Sequence, residues 1–209
     1  MGIKFPKLKR YELYAVLFSF TYFFSFIFYF LIKGNDEFIF YSIALIIVFF
    51  FILFNIRRMN LSPLVLWGFA IMGFMHMFGG SIYIFGERLY DTLSIGLINL
   101  GGEFVLLKYD QIIHFASTFF IAIALFEILS VSFFGGKRPK NYTPLYLTIL
   151  FMAFGIASFN EVLEFVPGYF WGDSGVGGYV NTILDLAFNF LGAGFGLLFV
   201  SHFRAKEKD

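Results

Sequence analysis

Asp110, His114, Glu161, Glu164 and Asp185, together with His76, are the residues of this chain whose types and spacing could do chemistry. All six stand in, or at the mouths of, long apolar segments. A lone ionised side chain in the middle of a bilayer costs about 2.5–3.5 kcal/mol on the mildest scale, so such groups are normally paired and functional. Asp110 and His114 are four apart and share a helix face, which Ser117 and Thr118 continue. Glu161 and Glu164 are three apart, and Asn160 precedes Glu164 by four. Asn181, Asp185 and Asn189 recur every fourth residue and run on into Gly192 and Gly196, as in a helix face packed against other helices. Four acids against at most two cationic histidines leave a charge imbalance, which buried carboxylates relieve by taking up protons or a cation. His with Asp and Glu is a ligand set for a divalent metal such as Zn²⁺, Mn²⁺ or Fe²⁺. On that reading His114, Glu161 and Asp185 bind the metal, and Glu164 and Asp110 act on the substrate. His76, Asn160, Asn181 and Asn189 complete a polar layer. Carboxyl–carboxylate pairs that hold protons are the competing solution and lead to a proton or cation path.

The elements that must position these groups are transmembrane helices. Of the 209 residues 59% are hydrophobic and only 14% charged, more apolar surface than a soluble domain of this length can hide. Six mainly apolar stretches, at 12–32, 38–56, 62–85, 112–134, 145–167 and 179–203, are each long enough for about 30 Å of hydrocarbon. Alternating strand patterning is absent, which argues against a barrel. The expectation is an all-α, polytopic membrane protein: a single six-helix transmembrane domain over 1–209. Twelve of the 15 basic residues fall before helix one, between two and three, between four and five, and after six. The positive-inside rule then puts both termini in the cytoplasm, in a cell (plasma or inner) membrane. The net charge of +1 speaks against a nucleic-acid partner. With no cysteine there is no disulfide or thiolate site, and three histidines exclude a multi-His di-iron centre.

With this topology, a rise of about 1.5 Å per residue puts His114 roughly 5 Å, Glu164 5 Å, Glu161 9 Å, Asp185 9 Å and His76 14 Å below the outer helix ends. Four helices therefore feed one layer in the outer half of the bilayer. The segment 86–110 is too broken by glycine to span; its apolar groups predict an interfacial or re-entrant segment, bent at Gly101 and Gly102, covering the outer face. Structural roles compete at every position. Asp110 could be a helix cap, His114 and Asp185 hydrogen-bonding links between helices, and His76 a partner of a neighbouring carbonyl.

Four ordered motifs carry a resemblance: His76-x-x-Gly79 with Tyr83, Lys108-Tyr109-Asp110-x-x-x-His114-Phe115, Asn160-Glu161-x-x-Glu164, and the Asn181–Asp185–Asn189–Gly192 stripe. Over about 70–200 they resemble the YjdF-type inner-membrane proteins of unknown function, and more distantly VanZ-like proteins. The latter carry a lysine where this chain has Gln111. The resemblance implies the helices and the site but no reaction. The leading expectation is a metal-dependent membrane enzyme acting on a lipid or lipid-linked substrate that enters from the bilayer. A small proton- or cation-coupled transporter and an assembly or structural protein are the alternatives.

Overall fold

In the computed structural model, residues 7–90, 97–102, 104–134, 141–171 and 178–206 are described. Six helices dominate: α1 (Arg10–Lys33), α2 (Asp36–Met59), α3 (Pro63–Ser81), α4 (Tyr109–Phe134), α5 (Thr143–Trp171) and α6 (Tyr179–Lys206). All six contain a stretch long and apolar enough to cross a membrane. The starts and stops follow local chemistry. Gly34 ends α1 in the left-handed conformation (φ 64), and the Asn35 side chain accepts from the Phe38 N–H to start α2. Ser62 caps α3 by accepting from the Val65 N–H, with Pro63 in the first turn, where its missing N–H costs nothing.

Two helix ends differ most from the sequence expectation. α3 stops at Ser81 because the chain turns at once into a hairpin of β1 (Tyr83–Ile84) and β2 (Glu87–Arg88). α5 runs on through Pro167 to Trp171, a proline that a packed transmembrane helix tolerates. Within 86–110 the described residues form more than a featureless interfacial stretch. A second hairpin pairs β3 (Ile98–Asn99) with β4 (Val105–Leu106), and Gly101 and Gly102 supply the positive φ of its turn. The all-α frame thus carries two antiparallel hairpins at one end. Leu93 and Ile95, counted among that segment's apolar residues, lie outside the described residues, as do Lys4, Lys137, Arg138, Lys140 and Lys208 of the basic flanks.

The first hairpin is tied down rather than loose. The Tyr90 N–H donates to the Gly79 carbonyl, the Leu89 N–H to that of Ile82, and Arg88 pairs with Glu37 of α2 at 2.6 Å. At the far end of the bundle, buried Glu12 meets Arg57 at 2.7 Å, and Arg57 also reaches the Lys7 carbonyl. Glu127, deep on α4, accepts from the Ser62 N–H at 2.8 Å, so its carboxylate holds the start of α3. The closest approach in the bundle is α4 against α6. A Cβ on Gly192 would lie 2.1 Å from the Phe115 carbonyl oxygen, and one on Gly196 2.6 Å from that of Phe119. Glycine at both positions lets the two backbones touch just below the polar groups.

Candidate metal centre

Helices α4, α5 and α6 bring the acids and His114 together. His114 is buried and central. Its Nε2 lies 3.1 Å from Asp110 Oδ1 and 3.7 Å from Glu164 Oε1, while its Nδ1 faces Glu161 Oε1 at 3.3 Å and the Asn189 amide at 3.2 Å. The two ring nitrogens therefore see different neighbours. Asn189 Nδ2 also donates to Glu161 Oε1 at 3.2 Å, and Thr118 Oγ1 lies 2.7 Å from Asn189 Oδ1, so α4, α5 and α6 share one network on the Nδ1 side. On the Nε2 side, Asn181 Nδ2 donates to Asp185 Oδ2 at 2.6 Å and, at 3.4 Å, to Asp110 Oδ2.

Those bonds use one oxygen of each aspartate. Asp110 Oδ1, His114 Nε2 and Asp185 Oδ1 are buried and satisfy no strict hydrogen-bond geometry, although the first two approach to 3.1 Å. Buried polar atoms are rarely left so. Donor atoms of Asp110, His114 and Asp185 all lie within 4.8 Å of one another, as do those of His114, Glu161 and Glu164. Ligand bonds of about 2.0–2.2 Å set donors roughly 3–4 Å apart, so either group could close on one ion with small adjustments. The donor chemistry fits a divalent cation, and the three residues that hold those atoms make up the first group.

This geometry redistributes the residues singled out from sequence. The trio His114, Glu161 and Asp185 is neither of the two groups within mutual reach; Asp110 is the acid grouped with His114 and Asp185. Glu161 instead faces Nδ1, the position of a carboxylate that orients a metal-bound histidine. Glu164 is buried, and its Oε1 accepts from Asn160 at 2.6 Å; Asn160 itself is exposed on the flank of α5. His76 is not in the network. Its ring sits among Tyr90 (4.9 Å), Tyr41 (5.5 Å) and Phe38 (5.8 Å).

Three contributors were not assigned from sequence. Lys108 is buried, and its Nζ donates to Asn181 Oδ1, which brings a cation to the layer that charge counting had left without one. Gln111 is fully buried and holds the preceding chain: its side chain accepts from the Lys108 N–H at 3.3 Å and donates to the Val105 carbonyl at 3.0 Å. The Tyr90 hydroxyl interacts with Asp110, and burial raises it well above the ordinary tyrosine value, which keeps it a donor. The sequence signal for Lys108 is its place just before Tyr109-Asp110, a basic residue beside the first turn of a buried helix.

A family model described as "Predicted membrane protein (DUF2238)" matches residues 14–206. The chain belongs to this family. The match carries the YjdF-type resemblance and lends no support to the VanZ-like one. No curated protein and no solved structure matches the chain. As a DUF2238 member the protein is a multi-pass membrane protein with a buried His/Asp/Glu cluster that could hold a metal ion.

Proposed function

We propose that the protein is a metal-dependent membrane enzyme that acts on a lipid or lipid-linked substrate, with its site near the outer leaflet of the plasma membrane and both termini in the cytoplasm. The observation that carries the metal reading is that Asp110, His114 and Asp185, whose donor atoms lie within 4.8 Å of one another, each bury a polar atom that makes no hydrogen bond. When bound there, a divalent ion such as Zn²⁺, Mn²⁺ or Fe²⁺ would supply Lewis-acid chemistry toward water or an ester. Glu161 and Asn189 fix the His114 ring from its Nδ1 side. Asn181 donates to the Oδ2 atoms of both Asp110 and Asp185, which leaves their Oδ1 atoms for a ligand. Glu164 lies 3.7 Å from His114 Nε2 and is the candidate general base. Asn160, exposed on α5 and bonded to Glu164, offers a polar step between the bilayer and the site.

The transport alternative needs a second acid to continue a path toward the other face. Glu127 is the acid deep in that half, and it is engaged by the Ser62 backbone. Its role as a helix cap favours the enzyme reading. The test is product analysis by mass spectrometry after incubating full-length protein, in discs of a mixed lipid extract, with and without added divalent metal. New lipid products from metal-replete wild type, absent from Glu164→Gln and from chelated protein, are expected. An unchanged lipid profile with metal demonstrably bound would remove the lipid-directed activity.

A further inference from the structure

Lys108 is a buried ammonium in unusual company. Among the described residues its Nζ has one hydrogen-bond partner, the neutral Asn181 Oδ1, and it forms no ion pair. An ammonium has three protons to place, and a buried cation is normally met by an anion. Asp110 and Asp185 are close enough to feel its charge, yet the Asn181 amide stands between, accepting from Lys108 and donating to both. This relay has two consequences. It fixes the Asn181 amide with its NH₂ group on the aspartates, which leaves their Oδ1 atoms for a cation. It also places the Lys108 ammonium one amide away from both aspartates, with no direct ion pair to either among the described residues.

The two acids of α5 do not compete for it. Glu161 is bonded by Asn189 and Glu164 by Asn160, both at the His114 side of the cluster. Lys108 sets a positive charge beside the metal group, and among the described residues Asn181 takes one of its three ammonium protons. A tetrahedral oxyanion, with several acceptor oxygens, suits a metal and an ammonium set side by side.

We propose that Lys108 and the Asp110–His114–Asp185 centre form a phosphoryl-binding subsite, so that the molecule acted on bears a phosphate rather than a neutral ester. This rests on the metal reading above. The phosphate could be a lipid headgroup or a free phosphate.

The test uses full-length protein in phosphatidylcholine discs, loaded with Mn²⁺ and titrated with inorganic phosphate, followed by the Mn²⁺ electron paramagnetic resonance signal. Lys108→Gln, whose amide can still donate to Asn181, should retain Mn²⁺ but bind phosphate about 10–100-fold more weakly, the range for losing a charged hydrogen bond. Uncharged trimethyl phosphate should not bind to wild type. Phosphatidic acid placed in the disc that competes with phosphate assigns the subsite to a lipid headgroup; phosphate binding indifferent to it assigns a soluble phosphate, and both keep the subsite. Unchanged phosphate affinity in Lys108→Gln with Mn²⁺ bound, or equal binding of trimethyl phosphate by wild type, overturns the subsite and leaves the metal centre standing. A wild type that binds no Mn²⁺ overturns both.

Discussion

Replacing Gly192 by alanine sets a methyl group 2.1 Å from the Phe115 carbonyl oxygen. That oxygen is backbone within α4 and cannot rotate away, so relief has to come from moving the helices. Ordinary van der Waals separation requires α6 to withdraw from α4 by about 1 Å. The displacement falls directly across the site. Asn189 lies one turn before Gly192 and Asp185 two turns before it on α6, while His114 is the residue next to Phe115 on α4. Overpacking of this kind costs about 1–3 kcal/mol of stability. A shift of order 1 Å between ligands costs about 100-fold in function. Gly194, on the same helix, has nothing within 4 Å of a built Cβ, so Gly194→Ala is the matched control. The assay is thermal unfolding in one detergent, paired with a competition titration for divalent metal. The reasoning requires Gly192→Ala to be both less stable and weaker in metal binding, with Gly194→Ala like wild type. Indistinguishable behaviour of the two variants would refute the close α4–α6 contact as the feature that sets the site.

Other consequences are simpler to read. Glu127→Ala should cost about 1 kcal/mol by leaving the Ser62 N–H without its acceptor, seen as a lower melting temperature with unchanged metal content. Arg57→Ala leaves buried Glu12 with the Lys9 N–H as its remaining partner and should destabilise by about 1–3 kcal/mol in denaturation of the detergent-solubilised protein. Metal affinity should fall as pH is lowered, because protons compete for the His114 nitrogen and the aspartate oxygens. Titrations in neutral and mildly acidic buffer check the sign, and affinity that rises on acidification would contradict it.

The helices were legible because membrane-spanning length and apolarity are written in composition, with little need of tertiary context. The ends of α3 and α5 were not. An apolar tail at 82–85 reads the same whether it stays helical or pairs as a hairpin, and Pro167 reads as a stop although a packed helix can absorb it. The faces of the site were legible too: Asp110 with His114, and Asn181 with Asp185 and Asn189, follow from a four-residue repeat. Spacing cannot say which ring nitrogen of His114 meets which acid, because that depends on how α4 is rotated against α5 and α6. Asp110, rather than Glu161, is the acid whose donor atom falls within reach of both His114 and Asp185. Lys108 was hidden for a related reason. Whether a residue before a helix turns inward depends on partners such as Gln111 and Asn181, and the latter lies 73 residues away. His76 is a mixed case, near enough to Asp110 and His114 to feel their charge. Depth along α3 put it with the acids, but its ring is packed among aromatic residues.

The central claim is a divalent metal held by Asp110, His114 and Asp185, and elemental analysis of purified full-length protein tests it most directly. Wild type should carry about one divalent ion per chain after reconstitution, and Asp110→Asn, His114→Gln and Asp185→Asn should each lose it. Glu161→Gln should keep the ion with affinity reduced about 10–100-fold, as for a residue that orients a ligand. Wild type without metal after reconstitution, or full metal content in Asp110→Asn and Asp185→Asn, would contradict the account.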